Sequence, residues 1–202
     1  MAELYLHALP AASISSLPLP QSPYVGGDMK VRADVGASHL ALAFPVPKGQ
    51  AAEPYRVLHD LLAAKVAAMP IPKRALQPFF REHGSGCLLG FYAQGDAQAA
   101  AGYLEAGVAE IKALAASANA DGAKVRTALA AFLAVEGASD ASAGSLLQAS
   151  IAGVSPLSDA RKVTSLSVQA AAKAALAAVP SYAVFGTTAG TPAYASVLKM
   201  TK

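Results

Sequence analysis

The chain is short of charge. Only 14% of its 202 residues are Asp, Glu, Lys or Arg, well below the usual quarter. It has one cysteine and no tryptophan. The single cysteine excludes an internal disulfide framework and fits a reducing compartment. No run of eighteen uncharged apolar residues is present, so no transmembrane helix is expected. The longest candidate, 97–118, is interrupted by Glu105, Glu110 and Lys112. The 16 basic and 13 acidic residues leave a net charge of +3. The basic residues are scattered in runs of no more than two, so the concentrated basic stripe that nucleic acid requires is missing. The first twenty residues contain no Lys or Arg. They fit neither a secretory leader nor an Arg-rich presequence, and no cleaved leader is expected.

What the chain has in quantity is apolar residues, at 54%, much of it alanine. Alanine buries little area per residue, so this composition reads as a folded chain with large buried or partner-facing surfaces. Prolines at positions 10, 18, 20 and 23 make residues 1–24 an extended arm. Residues 25–202 form the domain. Gly26-Gly27 is a turn, and "DMKVRADV" alternates as a half-exposed strand, with Met29, Val31 and Ala33 opposite Lys30, Arg32 and Asp34. "SHLALAFPVP" is a second, more buried strand. Pro54 sits where a helix's first turn tolerates it, and Val57, Leu58, Leu61, Leu62, Val66 and Met69 recur at helical spacing over 52–69.

"FFREHG" and "GCLLGFYAQG" read as a hairpin about Gly84-Ser85-Gly86. Asp96 is the N-cap of a helix with a stripe at Leu104, Val108, Ile111 and Ala115. Further stripes follow at Val125, Leu129, Phe132 and Leu133, and at Leu146, Leu147 and Ile151, with a short helix near 157–163. Ser167 caps "VQAAAKAALAAV", which Pro180 stops; "SYAVFGTT" is a closing strand, and Gly190-Thr191-Pro192 opens a tail. The order predicts an α+β fold: a mostly antiparallel sheet with helices on one face.

Chemistry is sparse in this sequence. The histidines, His7, His39, His59 and His83, have no second histidine at i+4 and match no zinc-peptidase motif, so no metal site is expected. His39 reads as a packed or edge residue. Cys87 lies in an apolar strand, where cysteine behaves as a small hydrophobe, and nothing beside it in sequence would lower its thiol pKa. His83 lies across the Gly84-Ser85-Gly86 turn from it, but strand alternation places neighbouring side chains on opposite faces. Gly84, Gly86 and Gly90 lack the helix N-terminus that would cradle a phosphate; they are turn and close-approach residues. Glu105 and Glu110 read as surface charges. No catalytic, cofactor-binding or metal-binding residue is assigned, and no cofactor is expected.

"YVGGDMKVR" and "GSGCLLGFYAQGDAQAAAGYLEAGVAEIKAL" carry a resemblance. With the later "SPLSDARKVTSLSVQAAAKAALAAV" and "YAVFG", they resemble the carboxyl-terminal half of the core protein 2 family of mitochondrial ubiquinol–cytochrome c reductase (respiratory complex III). That family is similar to mitochondrial processing peptidase subunits and to inverzincin metallopeptidases, which are built from two related α+β halves. The match covers about residues 24–198. In active members the zinc motif lies in the first half, to which this sequence has no counterpart. Their second half carries an Arg-Gly-Leu-x-Tyr segment; here "PKRALQPFF" keeps Arg74 and no Tyr. The glycine-rich substrate loop of the regulatory subunit has no counterpart in "AAKVAAMPIP".

The resemblance therefore implies a non-catalytic structural subunit, the second half of a split core protein 2, peripheral on the matrix side of the mitochondrial inner membrane. Its implied partners are a separately encoded amino-terminal half, core protein 1 or a processing peptidase beta-like subunit, and other complex III subunits, with no nucleic acid and no direct transmembrane span. Two alternatives remain open: the presequence-binding regulatory half of a processing peptidase, and recruitment of the fold into another respiratory assembly or a supercomplex contact.

Overall fold

A computed structural model describes residues 23–72, 75–82, 86–116 and 163–202. The expected helices about Val125–Leu133 and Leu146–Ile151, the short helix near 157–163, most of the arm at 1–24 and the turn Gly84-Ser85 lie outside the described residues.

Five strands and four helices follow one another in the described chain. They are β1 (Gly27–Arg32), β2 (Ser38–Val46), α1 (Glu53–Ala67), β3 (Leu76–Glu82), β4 (Cys87–Gly95), α2 (Ala97–Ala116), α3 (Ser165–Ala177), β5 (Ser181–Gly186) and α4 (Tyr194–Thr201). A short 3-10 turn, Gly49–Ala52, leads into α1. The sheet order is β1-β5-β2-β4-β3. The pairs β2/β4, β2/β5 and β3/β4 are antiparallel, and β1 alone runs parallel to its neighbour, β5. The fold is therefore α+β, with a mixed, mostly antiparallel sheet.

The period-two pattern of the strands divides the sheet into two unlike faces. Leu40, Leu42, Phe44 and Val46 of β2 share one face with Cys87, Leu89, Phe91 and Ala93 of β4 and with Tyr182 and Val184 of β5. All ten are buried. The helices cover this face. α1 contributes Val57, Leu58, Leu61 and Leu62; α2 contributes Leu104, Val108, Ile111 and Leu114; α3 contributes Val168, Ala171, Ala172 and Ala175; α4 adds Val197. The α2 stripe falls where its 3.6-residue spacing puts it, with Ala115 included. Small residues set how closely the helix layer approaches. A Cβ added to Gly107 of α2 would lie 3.1 Å from the Phe91 ring, so this helix rides directly on β4 at that point.

Local signals fix the helix ends. Pro54 stands in the first turn of α1. The Asp96 carboxylate accepts the Ala99 amide at 2.8 Å, as its N-cap reading requires. At α3 the cap differs from expectation: Thr164 is the N-cap, and Ser167 is the third helical residue. The Thr164 hydroxyl accepts the Ser167 amide at 3.2 Å, and the Ser167 hydroxyl accepts the Thr164 amide at 2.9 Å. Here a hydroxyl residue fills both positions of the reciprocal box, where Glu or Gln is usual at the second, and so either residue alone looks like a cap. The tail after Pro192 also differs from expectation: it forms α4, whose Tyr194 hydroxyl donates to the Pro180 carbonyl at 2.7 Å.

β1 is the other departure. Its alternation predicts one buried face, but as the outermost strand it is exposed along nearly its whole length. Lys30 reaches across the edge and donates to the Pro192 carbonyl at 3.0 Å, tying β1 to the segment before α4.

Candidate functional site

The residues singled out for chemistry fall into separate places. His7, His83, Ser85 and Arg74 lie outside the described residues. His39 is on β2, and its Nδ1 lies 2.5 Å from the Tyr92 hydroxyl of β4. Its ring stands 5.9 Å from that of Tyr92 and 6.0 Å from that of Phe185. It is a partnered edge-of-cluster histidine on the sheet face opposite the helices. His59 sits on α1 and pairs with the neighbouring Asp60, Nδ1 to Oδ1 at 2.9 Å. Among the described residues no group of three or more His, Cys, Asp or Glu converges as metal ligands would.

Cys87 opens β4 on the helix-covered face and is 4% exposed. Burial pushes its thiol pKa up, while the positive charges of Arg56 and Lys48 act the other way without prevailing. These two cations come from α1 and the β2–α1 connection, so their proximity was invisible to a reading of strand neighbours. Glu105 is exposed on α2 as expected. Glu110 is not a free surface charge: it is half-buried, and its Oε2 accepts from Lys65 Nζ at 2.5 Å, bridging α2 to α1.

A second polar knot, missed in the sequence, joins α1 to β3. Arg56 pairs with Glu82 and lies 3.6 Å from Glu53 on its own helix. Its guanidinium stacks 5.5 Å from the Phe80 ring centroid. Glu53 is 7% exposed. The signal was present as an i,i+3 Glu–Arg pair, but the β3 partner depends on tertiary packing. The knot clamps the helix layer to the β3 edge; Cys87, the cross-strand partner of Glu82, stands next to it with its thiol pKa pushed up by burial.

The most distinctive surface is the sheet face opposite the described helices. The register lays its side chains in four cross-strand rows, the outermost being Pro45, Leu88 and Arg81. One row runs Gly27, Ser181, Ala43, Gly90, Phe79. The next runs Met29, Ala183, Ala41, Tyr92, Gln77. The third holds Val31, Phe185, His39 and Gln94. Met29 is 63%, Val31 41% and Phe185 46% exposed. The small residues of the first two rows leave a cavity of about 300 Å³ at the β1–β5–β2 side, lined by Gly26, Met29, Ala41, Ala43 and Ala183 among others. Its floor is tight. A Cβ on Gly90 would clash with the Leu42 carbonyl oxygen and lie 2.8 Å from Phe79 Cζ, so that ring lies over the glycine. Gly90 is thus the close-approach glycine its place in a strand suggests.

The other cavity described is a broad hollow of about 440 Å³ between α2 and α4, lined by Glu105, Lys112, Ser196 and Lys199 with Val108 and Met200. Its charges are mixed in sign and lie on exposed helix turns. No helix among the described residues is long and apolar enough to cross a membrane.

No family model matches the chain, and no curated protein does. A solved structure does: a chain of complex III2 from Candida albicans with Inz-5 bound superposes with a TM-score of 0.68 at 14% identity. The superposition covers 88% of this chain and 49% of that one, so this chain spans about half the length of the protein it matches. At that identity the likeness is one of fold, and the five-stranded sheet with its helix layer is an architecture this chain shares with about half of a complex III chain.

Proposed function

We propose that the protein is a non-catalytic structural subunit: the carboxyl-terminal half of a divided core protein, held peripherally on the matrix side of the inner membrane within mitochondrial complex III. The observation that carries this reading is the half-length fold match to a complex III chain. The ordered set of family-like segments, from "YVGGDMKVR" to "YAVFG", supports it independently. A subunit of this kind needs no reacting groups. It needs a rigid core and surfaces that other chains cover, and an interface of this type resembles a domain core cut in two. The sheet face opposite the described helices, where Met29, Val31 and Phe185 are exposed, is a surface of that description.

The test is a gentle purification of the tagged full chain from mitochondria of its own cells, followed by native electrophoresis and identification of every co-migrating protein. Recovery with cytochrome b, cytochrome c1 and a separate core-like chain corresponding to the first half is the expected result. Recovery with a zinc-motif peptidase and without the cytochromes assigns the protein instead to a presequence-processing enzyme. A zinc-independent peptidase activity of the purified chain, lost on substitution of one of its own residues, overturns the non-catalytic reading.

A further inference from the structure

Charge is not used evenly over the helix layer. Among the described residues the ion pairs are Arg56–Glu53, Arg56–Glu82, His59–Asp60 and Lys65–Glu110, and every one involves α1. Where α2 meets α4 the charges are unpaired. Lys112 of α2 and Lys199 of α4 take part in no ion pair or hydrogen bond among the described residues. Both line the hollow of about 440 Å³ between these helices, a volume within the usual range for small-molecule sites.

The lining combines two chemistries. Val108, Ala109, Pro192 and Met200 make an apolar wall. Lys112, Lys199 and the Ser196 hydroxyl supply hydrogen-bond donors. The Pro192 carbonyl accepts from Lys30 Nζ at 3.0 Å, which adds a third ammonium to this side of the molecule. Glu105 is the one acid of the lining, and it precedes Lys112 by seven residues, about 10 Å along the α2 axis. A lysine in the last turn of a helix is favoured by the helix dipole, and Lys199 is so placed. That reason does not extend to Lys112, which is half-buried and stands ahead of the last turn of α2. Holding an ammonium half-buried without a counter-charge costs free energy, and a bound anion removes that cost.

We infer that the hollow between α2 and α4 is a binding site for a small phosphate-bearing molecule with an apolar body. The phosphate oxygens accept from Lys112, Lys199 and Ser196, and the body lies against Val108, Pro192 and Met200. Glu105, two turns from Lys112, repels a second anionic group and so sets the direction in which the ligand lies. Two sources share this chemistry: the headgroup of a phosphomonoester lipid and a water-soluble phosphate. The inference rests on residues of this chain alone and holds whichever assembly the chain belongs to.

The experiment uses the tagged full chain with everything that co-purifies, in phosphate-free buffer. Amines are acetylated briefly and each lysine is read by mass spectrometry, with Lys173 on the exposed side of α3 as the reference. Dihexanoyl phosphatidic acid, a soluble short-chain phosphomonoester lipid, is expected to slow acetylation of Lys112 and Lys199 at least tenfold and to leave Lys173 unchanged. Dihexanoyl phosphatidylcholine, whose phosphate is a diester, is expected to protect neither. Lys112→Gln should weaken the lipid's protection of Lys199 about tenfold, as loss of one charge-assisted hydrogen bond does, and Glu105→Gln should leave it unchanged or tighten it. Protection by inorganic phosphate equal to that by the short-chain lipid keeps the phosphate site and assigns it to a soluble phosphate. Protection by none of these probes, equal protection by phosphatidylcholine, protection of Lys173 as well, or a tenfold weakening by Glu105→Gln overturns the proposal. So does a failure of Lys112 and Lys199 to react in ligand-free buffer, because the hollow is then already filled.

Discussion

At the scale of single residues, the structure turns several ambiguous side chains into packing elements. Cys87 is a small hydrophobe under the helix layer, with burial raising its thiol pKa against two nearby cations. Iodoacetamide at pH 8 should therefore label folded protein at least tenfold more slowly than protein in about 6 M guanidinium, a denaturant strong enough to expose the thiol. Equal rates would show an accessible thiolate. Gly90 is required by contact on both sides, with the Leu42 backbone below and the Phe79 ring above. Gly90→Ala should lower stability by about 2–3 kcal/mol, the usual cost of overpacking, read as a fall in the urea midpoint. An unchanged midpoint would mean the β2–β4–β3 contact can relax. Tyr182 is 1% exposed, and burial pushes its pKa up to about 12. The folded state then holds the phenolic proton more tightly than the unfolded chain, whose tyrosines titrate near 10. Stability from this group is complete below about pH 10 and is lost as pH rises from about 10 toward 12. Tyr24 and Tyr55, also raised by burial, act in the same direction. In a urea series across that range the midpoint should fall with pH, and Tyr182→Phe should flatten the fall.

At the scale of elements, the chain's legibility followed the locality of the forces. Strand β2, the amphipathic α1 and the stripe of α2 lie where alternation and 3.6-residue spacing put them, because one face of each meets a single continuous core. The cap of α3 was ambiguous by role because a capping box engages two hydroxyls three residues apart. Removing one side of that box by Thr164→Ala should cost about 1 kcal/mol, and Thr164→Ser should restore most of it. A Thr164→Ala protein with a wild-type urea midpoint would show that packing alone positions α3. β1 misled for a different reason. Alternation states which residues share a face, and it cannot state whether anything lies against that face. The Arg56–Glu82 and Lys65–Glu110 pairs were equally hidden, since each joins elements far apart in sequence.

At the scale of the whole molecule, one side of the described sheet is a packed α+β core and the other carries the exposed apolar side chains of Met29, Val31 and Phe185. A chain with 14% charge and such a face should not behave as a freely soluble monomer. Light scattering after size exclusion should show the isolated chain as aggregates or oligomers, and Phe185→Arg should increase the monomeric fraction by charging an exposed apolar position of β5. A wild-type monomer with a sharp thermal transition would contradict this and weaken the proposal that a partner completes the molecule.

The sequence by itself determined which residues form strands and helices in most of the described chain, and which of them turn toward a core. These follow from side-chain period, proline and glycine placement and capping chemistry, all of which act over a few residues. It also carried the segment order that resembles the second half of a core protein. Tertiary structure alone decided the strand order, the parallel placement of β1 beside β5, and the gathering of the described helices on one sheet face. Those outcomes depend on pairings between segments far apart in the chain, where the energy of contact is set by what the whole fold brings together and no local pattern records it.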